Sequence, residues 1–544
     1  MLKMKVKKDR IHQYLLPAFD LFLYSIISLL ILIIHPSFDS FLGTRIILLQ
    51  FILCLAVIAI IRILNNVYTR QDIESTIHTY GRLLIADIIS FAIILVAQNL
   101  LAASDRLEVV TLFLIVVITL IASIALRMGE YELSKRSIEV TDIIPFSPPD
   151  ISELEVREVE KALRSGWITT GPRTKKLENM LAEYIGVPKC VCLNSNTACG
   201  EMALRLLGVG PGDEVITSAY TYTASASVVC HVGATLKMVD CLNKAGSLEI
   251  DYDALENAIT TKTKAIIPVD LAGIPCDYDR LFEIVDRKKN LFTPNNDIQK
   301  AIGRVAIIAD AAHALGATYK GKKVGAIADF TNFSFHAVKN FTTGEGGAIT
   351  WRHIEGIDDN ALYHQAQLYS LHGQSKDALA KTQKGGWEYD IVGTWYKCNM
   401  TDVAAAIGLA QLERYPHLLA KRRRIIEKYD DAFKKLGVEV LDHYNDEHTA
   451  SGHLYITRIP GITPEQRNEI IVKMTDRNVS CNVHYKPLPM MTAYKELGFD
   501  IEDYPNAYGK FANEVTLPLY STLSDSEVEH IIKQFTEVVS EYIA

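Results

Sequence analysis

The chain has 544 residues, of which 49% are hydrophobic, with a formal net charge of −8 and a pI near 6.0. This length exceeds what one hydrophobic core organises, so we expect at least two structural units. The net charge is negative and no stripe of Lys and Arg interleaved with aromatic residues is present, which argues against a nucleic-acid partner. The nine cysteines, an odd number without metal-ligand spacing, indicate a reduced, intracellular chain without a metal site.

The first 130 residues predict an all-α membrane domain of four helices. Their apolar runs are Leu16–Phe38, Ile46–Ile61, Leu83–Ala103 and Val109–Leu126, each close to the roughly 20 residues that cross a bilayer. Basic residues are concentrated before the first run, between the second and third, and after the fourth. The positive-inside rule therefore predicts that both ends of this domain lie in the cytoplasm.

Two functions are open for this membrane domain, an anchor or a channel or carrier. The four runs contain no charge cluster, no helix broken by Gly or Pro and no repeat of the kind that builds transport sites. A secretory signal is the rival interpretation of the first run, but no small-residue cleavage site follows it. We therefore expect a multi-pass anchor in the inner membrane, a linker at 131–147 and a catalytic part in the cytoplasm.

From residue 148 the pattern changes to that of an α/β protein. Short β-branched runs alternate with amphipathic stretches, which predicts a mostly parallel sheet. We expect a large domain at 148–410 and a smaller C-terminal α/β domain at 411–544. The strand-like runs are 190–194, 214–219, 236–240, 265–270 and 304–310. Because ligands of such sheets bind at the carboxyl ends of the strands, the residues after these runs are the candidates for function.

The segment NSNTACGEMALRLLGV is the first candidate. A strand ends at Asn194 and a helix begins near Thr197, so the backbone N–H groups of Thr197, Ala198 and Cys199 would suit a phosphate. An ordinary helix cap explains the same residues. The segment alone leaves both interpretations open.

Asp310, in RVAIIADAAHALGA, is the second candidate. It ends a run that is apolar enough to be a buried central strand, where an unpaired carboxylate would be costly. A cation or strong donor is therefore expected beside it, and the protonated nitrogen of a pyridine ring fits. The alternative is that Asp310 only caps the next helix.

Lys339, in NFSFHAVKNFTTGEGGAIT, is the third candidate. It follows an apolar-aromatic strand and precedes a Gly-rich turn. A lysine amine in a dry pocket has a lowered pKa and forms an imine with an aldehyde, although most lysines are solvated and structural. A phosphate-type turn, an Asp over a hundred residues later and a Lys about 30 residues beyond it follow the order of parts in a pyridoxal 5′-phosphate (PLP) site.

From Phe146 to the C-terminus the chain closely resembles the nucleotide-sugar aminotransferases of the DegT/StrS class. The matching motifs are GWITTGP, DEVITSAYTYTAS, TKAIIPVDLAG, DAAHALGA, SFHAVKNFTTGEGG, YKCNMTDVAAAIGLAQL and NVHYKPL. The resemblance implies a fold type I PLP enzyme with a seven-stranded, mostly parallel sheet, and a homodimer with shared active sites. It implies amination of a nucleotide-linked keto sugar of the UDP-4-keto-6-deoxy type, with glutamate as donor, in glycan or polysaccharide biosynthesis.

The resemblance also implies roles for single residues. Lys339 would be the Schiff-base lysine and proton carrier, and Asp310 would pair with the pyridine nitrogen. Tyr222 would stack on the face of the ring, and His313 would lie near its hydroxyl group. His484 and Tyr485 would contact the sugar nucleotide. The phosphate would be bound by Thr197, Ala198, Ser334 and Asn399 of the partner subunit.

Two features depart from the family pattern, and three rival functions remain. The segment at 286–305 is longer than the family norm and is expected to form an enlarged surface loop, and Ala309 replaces the usual Glu. A PLP-dependent sugar dehydratase would carry His in place of Lys339. An acyl-CoA-condensing synthase would lack the SFHAVKN and NVHY motifs. A membrane-bound sugar-nucleotide sensor without catalysis would not need the trio of Thr197, Asp310 and Lys339.

Overall fold

The computed structural model describes residues 143–377, 379 and 387–543. The four predicted membrane helices, and most of the predicted linker, lie outside these residues. In the part of the chain that is described, no helix combines the length and the apolarity that a bilayer crossing needs. The limits given above for the domains and the linker stay predictions.

The helices and strands are numbered here in chain order. The strands are β1 (Cys190–Leu193), β2 (Glu214–Ser218), β3 (Thr235–Val239), β4 (Thr263–Ile267), β5 (Ala306–Asp310), β6 (Thr318–Tyr319), β7 (Lys322–Lys323), β8 (Phe330–Ser334), β9 (Gly347–Trp351), β10 (Glu439–Val440), β11 (His448–Thr449), β12 (Tyr455–Arg458) and β13 (Glu514–Leu517). The helices are α1 (Glu153–Arg164), α2 (Pro172–Ile185), α3 (Asn196–Leu206), α4 (Ala224–His231), α5 (Tyr252–Ala258), α6 (Tyr278–Arg287), α7 (Asp297–Ile302), α8 (Asp359–Ser370), α9 (Asp402–Phe433), α10 (Pro464–Asp476), α11 (Thr492–Glu496), α12 (Pro505–Ala512) and α13 (Asp525–Val539).

The main sheet has seven strands in the order β1-β9-β8-β5-β4-β2-β3. Strand β9 runs antiparallel to both of its neighbours, β1 and β8, and the remaining pairs are parallel. The mostly parallel sheet is therefore confirmed, and the five strand-like runs coincide with β1 to β5. Six of the seven strands point the same way, so their carboxyl ends lie along one edge.

Helices cover both faces of this sheet because successive strand residues point to opposite sides. In β5, Ile308 packs in the cluster that includes α3 and α4. Its neighbour Ile307 packs in the cluster that includes α5 and α6. Both side chains are fully buried, which explains why the central runs are apolar without alternation.

The C-terminal part is built on a second, antiparallel sheet of order β10-β12-β13. Its core includes residues of α10, α13 and the second half of α9. Helix α9 is 32 residues long, and the predicted domain limit at 410/411 falls inside it. A further small sheet joins β11, β6 and β7.

The segment at 286–305 lies largely at the surface, as expected, but it is not a loop throughout. It contains a 3-10 turn at Lys289–Leu291 and helix α7. The Asn296 side chain donates to the Leu206 carbonyl over 2.8 Å, and that of Gln299 donates to the Leu207 carbonyl over 2.7 Å. These amides satisfy carbonyl groups at the end of α3, so the segment is a packed helix cap.

Candidate active site

A cavity of about 360 Å³ opens at the edge where the parallel strands end. It is lined by every predicted site residue except Ala198 and Asn399. The residues that line it come from the ends of β1, β5 and β8, from the turn before α4 and from the C-terminal part. The fold therefore brings together groups that lie up to about 290 residues apart in the sequence.

Asp310 ends β5 with its carboxylate held by three donors. Oδ2 accepts from the Ser225 hydroxyl over 2.6 Å. Oδ1 accepts from the Asn196 amide over 3.2 Å and from the backbone N–H of Ala312 over 3.1 Å. The residue is buried, and none of these donors is charged, so a cationic ligand group in the cavity would be its first charged partner.

Lys339 lies in the turn that follows β8 and lines the same cavity. Among the described residues its Nζ has no hydrogen bond or ion pair with the protein. Burial lowers the pKa of Lys339 to about 8, and the nearby Asp310 carboxylate partly opposes this shift. A fraction of the amine is therefore uncharged near neutral pH, which is the form that attacks an aldehyde.

The predicted phosphate turn lies at the N-terminus of α3. The Ser195 hydroxyl caps the helix and accepts from the N–H of Ala198 over 3.1 Å. The helix begins at Asn196, one residue earlier than predicted, and Thr197 lines the cavity while Ala198 does not. The N–H groups of Asn196 and Thr197 precede the first helical bond and are free to meet an anion.

Gly347 lets β9 approach this turn. A Cβ on Gly347 would lie 2.6 Å from the backbone nitrogen of Asn196 and 2.7 Å from the carbonyl oxygen of Phe333. Backbone atoms cannot give way as a flexible side chain can. Glycine is therefore required where β9 passes between the phosphate turn and β8.

His313 and Tyr485 form one wall of the cavity. Nδ1 of His313 accepts from the backbone N–H of Ala272 over 3.2 Å, so the proton is on Nε2, which lies 3.3 Å from the Tyr485 hydroxyl. Burial, with the charge of Lys339, lowers the pKa of His313 well below its usual value. The imidazole is therefore a neutral hydrogen-bond donor.

Ser451 connects this wall to the lysine turn. Its hydroxyl donates to the carbonyl of His313. Its own carbonyl accepts from the side chain of Asn340, the residue after Lys339, over 2.8 Å. The other end of the Asn340 amide lies 2.9 Å from Nδ1 of His453. One short segment of the C-terminal part, around Ser451, therefore contacts both the wall at His313 and the turn that carries Lys339.

Tyr222 lies at the rim. Its side chain is 60% exposed and its ring centroid is 5.7 Å from that of Tyr485. Ser334, at the end of β8, also lines the cavity. Both positions agree with contacts to the ring face and to the phosphate, which stay predictions.

Asn399, like Ala198, is a predicted site residue that does not line the cavity. Its amide donates to the hydroxyl of Thr170 and, over 3.3 Å, to the carbonyl of Met400. The resemblance assigned this residue to the cavity of a partner subunit, an assignment that stays a prediction.

His484 lies between the cavity and the second sheet. Its Nδ1 is 3.0 Å from the hydroxyl of Thr516, and its ring stacks on Phe146 with centroids 5.3 Å apart. Burial and the charge of Lys339 lower the pKa of His484 to about 3. The imidazole is therefore neutral at physiological pH.

Three groups of residues at this site were missed by sequence reasoning. Asn196 lies inside the NSNTACG turn, where its neighbours were considered but its side chain was not. Ser225 lies in the quoted motif DEVITSAYTYTAS, whose only selected residue was Tyr222. Glu514 and Thr516, which lie behind His484, have no recognisable motif in the sequence.

The residues of the cavity fit PLP. The site offers a buried carboxylate that is bonded to no cation, a lysine amine that makes no ion pair among the described residues, and a helix N-terminus with unbonded N–H groups, all at one cavity. The side-chain oxygen of Asn196, beside that carboxylate, is buried without a partner. These are the groups that a pyridinium nitrogen, an aldehyde and a phosphate require.

Comparisons with known proteins agree with this chemistry. The model of the DegT/DnrJ/EryC1/StrS aminotransferase family matches residues 149–536. SpsC, a spore coat polysaccharide biosynthesis protein of Bacillus subtilis, is 35% identical over 403 residues, which are 73% of this chain and 97% of SpsC.

Solved structures are similar over the same part of the chain. The PLP form of Spr1654 from Streptococcus pneumoniae, described as a sugar aminotransferase, is 56% identical with a TM-score of 0.71, over 74% of this chain and 100% of that chain. Its PMP form is 58% identical with a TM-score of 0.71, over 73% and 99%. PseC from Helicobacter pylori, an aminotransferase of pseudoaminic acid biosynthesis, is 25% identical with a TM-score of 0.65, over 74% and 100%. The chain belongs to the DegT/DnrJ/EryC1/StrS aminotransferase family, and its cofactor is PLP.

Proposed function

We propose that this chain transfers an amino group from glutamate to a nucleotide-linked keto sugar, of the UDP-4-keto-6-deoxy type, in the biosynthesis of a cell-surface glycan or polysaccharide. The observation that carries the proposal is the buried Lys339 amine, which shares one cavity with the Asp310 carboxylate. The names of SpsC, Spr1654 and PseC support a sugar as the acceptor.

Different residues of the cavity have different roles in transamination. When bound, PLP supplies the aldehyde that takes up the amino group and the ring that withdraws electrons from the reacting carbon. With PLP bound, Asp310 would pair with the ring nitrogen, and its three donors orient its carboxylate for that contact. Lys339 moves a proton to and from the reacting carbon through Nζ. His313 offers its Nε2 proton as a hydrogen-bond donor to the bound ligand.

The reaction is a two-step exchange in which the amino donor leaves before the keto sugar enters. Ping-pong kinetics are therefore expected. Initial rates at several fixed concentrations of glutamate, plotted against the concentration of the keto sugar, should give parallel reciprocal lines. Intersecting lines would contradict the two-step exchange.

The assignment of Lys339 is tested by borohydride reduction of the full-length chain with PLP, followed by peptide mapping. We expect the cofactor on the peptide that contains Lys339. The Lys339→Ala variant should lose both the label and turnover, whereas the exposed Lys322→Ala variant should retain both. A label on another peptide, or normal turnover by Lys339→Ala, would refute the assignment.

The acceptor is tested by a screen of UDP- and dTDP-linked 4-keto and 3-keto hexoses with glutamate as donor. Amination of a 4-keto UDP sugar is the expected result. A chain that carries PLP on Lys339 but aminates none of them would favour the alternative of a catalytically altered sensor. Release of water from the sugar without uptake of nitrogen would favour the dehydratase.

We further propose a homodimer in which each subunit supplies Asn399 to the cavity of the other. The position of Asn399 outside its own cavity supports this arrangement. Loss of the Asn399 side chain in one subunit should then impair the active site of the other subunit.

We also propose that residues 1–130 anchor the enzyme in the inner membrane, with the catalytic part in the cytoplasm. The support is the four apolar runs and the distribution of basic residues. Cys230 is exposed and serves as a reporter for a membrane-impermeant thiol reagent. We expect labelling in inside-out vesicles and none in right-side-out vesicles, with Cys230→Ser as the control. The reverse pattern would refute the orientation.

A further inference from the structure

A buried carboxylate lies behind His484, outside the cavity. Glu514, at the start of β13, is fully buried. One carboxylate oxygen accepts from the Thr516 hydroxyl, and the other accepts from the backbone N–H of His484 over 3.0 Å. Neither nearby arginine forms an ion pair with Glu514. Arg458 is paired with Glu439 at 2.9 Å, and Arg467 donates to backbone carbonyls. A buried acid without a direct cation is costly in free energy when it is ionised.

The same hydroxyl connects Glu514 to the cavity. Thr516 Oγ1 lies 3.0 Å from Nδ1 of His484, and the His484 side chain lines the cavity with Lys339. In the described part of the chain, Nε2 of His484 has no protein partner. Three groups, a carboxylate, a hydroxyl and an imidazole, therefore form a continuous hydrogen-bonded row from the protein interior to the ligand space.

This row has two self-consistent arrangements of its protons. When Glu514 is ionised, Thr516 donates to it, Nδ1 of His484 donates to Thr516, and Nε2 is a bare acceptor that faces the cavity. When Glu514 is protonated, it donates to Thr516, Thr516 donates to Nδ1, and Nε2 carries the proton. The two arrangements differ by one proton and need no movement of heavy atoms.

We propose that His484, Thr516 and Glu514 form a proton relay that exchanges one proton between the protein interior and the reacting amino and carbonyl groups in the cavity. The inference rests on the proposed function, because it assigns the relay to the donor and acceptor of an amino group. It deepens that function by giving His484 a catalytic role and by making Thr516 and Glu514 positioning and proton-storing residues.

The relay balances the protons of the two half-reactions. An amino donor arrives as an ammonium ion: one N–H bond breaks, the electron pair stays on nitrogen, and the proton binds Nε2 of His484. The Nδ1 proton passes to Thr516 and the Thr516 proton passes to Glu514. In the second half-reaction the relay runs in the opposite direction. The carbonyl oxygen of the sugar takes one proton from the attacking amino nitrogen and one from Nε2 of His484, and it leaves as water when the C–N bond has replaced the bonds from carbon to oxygen. No oxidant or further reactant is consumed.

The electrostatic surroundings suit storage on Glu514 and not on His484. Burial raises the pKa of Glu514 to about 8, so the carboxyl exchanges protons near neutral pH. The pKa of His484 is lowered to about 3 by burial and by Lys339, so an arriving proton is passed on. The charged or titratable groups that face the Glu514 carboxyl from neighbouring elements are those of Arg458, Arg467, Tyr220, Cys481, Tyr485 and His484.

The first test reads the relay without cofactor or turnover. Nitrogen NMR of the full-length chain, labelled at its histidines and free of PLP, should show His484 protonated on Nε2 below about pH 8 and on Nδ1 above it. Glu514→Gln and Thr516→Val should abolish this change. Thr516→Ser, which keeps the hydroxyl, should preserve it, as should Glu439→Gln on the same sheet. A His484 tautomer that is constant with pH, or that changes equally in Glu514→Gln, would overturn the relay.

The second test uses the holoenzyme. Glu514→Gln and Thr516→Val should lower kcat by about 10- to 100-fold, at or below the lower end of what a positioned acid–base group contributes. KM should change little and the inflection of the kcat pH profile near 8 should disappear, while Thr516→Ser keeps wild-type behaviour. Unchanged kcat in both relay variants would refute the proposal. Failure of borohydride trapping at Lys339 would instead refute the proposed function. The NMR test needs no PLP and would still decide whether the three groups exchange a proton.

Discussion

The Ser225 hydroxyl donates a 2.6 Å hydrogen bond to Oδ2 of Asp310, which lies 85 positions later in the sequence. Behind it, the hydroxyl of Thr221 is 3.0 Å from that of Ser225. The carboxylate is thus oriented from the turn that also carries Tyr222 to the rim of the cavity. Orientation of this acid depends on the start of α4 as much as on β5.

Removal of this donor should weaken the cofactor site. A hydrogen bond to a charged group contributes roughly 1.5 to 3 kcal/mol, so we expect Ser225→Ala to bind PLP about tenfold more weakly. Absorbance titration of the cofactor-free chain measures the dissociation constant. Ser227→Ala, two residues further along the same helix, is the matched control and should bind normally. Equal affinities of the two variants would contradict a role of Ser225 in holding Asp310.

A methyl group at Gly347 should disturb the phosphate turn. Because its Cβ would lie 2.6 Å from the Asn196 nitrogen, Gly347→Ala must displace backbone, at a cost of roughly 1 to 3 kcal/mol. We expect weaker PLP binding together with a lower urea midpoint. Gly509→Ala, in α12 where nothing lies within 4 Å of the added carbon, should leave PLP affinity unchanged and slightly raise stability. Wild-type PLP affinity in Gly347→Ala would show that the turn tolerates the methyl group.

The stability of the catalytic part should fall as the pH rises toward 7. Burial raises the pKa of Glu178 from 4.5 to about 7, while the Tyr363 hydroxyl and the Cys192 N–H partly oppose the shift. The folded state holds this proton more tightly than the unfolded chain, so the stabilisation is complete below about pH 4.5 and is lost through about pH 7. At about 1.4 kcal/mol per pH unit, the loss is roughly 3 kcal/mol.

Glu178→Gln should remove this component of the pH dependence. Urea unfolding of the full-length chain between pH 5 and pH 8 measures it through the change in the free energy of unfolding. Glu183→Gln, on the exposed side of the same helix, is the control and should retain the wild-type slope. An identical slope in Glu178→Gln would mean that this carboxyl is already ionised at low pH.

Mixed dimers distinguish a shared site from a self-contained one. Chains with Lys339→Ala and chains with Asn399→Ala should each be nearly inactive alone. Co-expressed, they should regain activity, because one site of the mixed dimer combines an intact Lys339 with an intact Asn399 of the partner subunit. No recovery, with mixed dimers demonstrated by two affinity tags, would contradict the sharing of Asn399.

The main sheet and the central catalytic pair could be predicted because they depend on local signals. Apolar runs separated by amphipathic stretches indicated the strands. Asp310 is the last residue of β5, and Lys339 lies in the turn after β8. The segment at 286–305 could not be predicted, since its polar amides are typical of loops. Their partners, the carbonyl groups of Leu206 and Leu207, lie about 90 residues away.

The row behind His484 escaped prediction for a related reason. Glu514 and Thr516 are two residues apart in β13 and therefore point to the same face of the sheet. Nothing in the sequence NEVTLPL distinguishes a buried acid from a solvated one. Only the pairing of β13 with the chain near Asn482 places these side chains beside His484. Long-range pairing of this kind is not encoded in any local pattern.

Ser451 has a consequence for how molecules reach the cavity. Because it holds the His313 carbonyl and the Asn340 side chain at once, that wall cannot swing outward without releasing the loop of the reactive lysine. At the rim of the cavity, Tyr222 and Val338 are 60% and 38% exposed, and we expect ligands to enter beside these side chains. The position of His313 and that of the loop of the reactive lysine are therefore coupled through one residue of the C-terminal part, so a shift on either side is transmitted to the other.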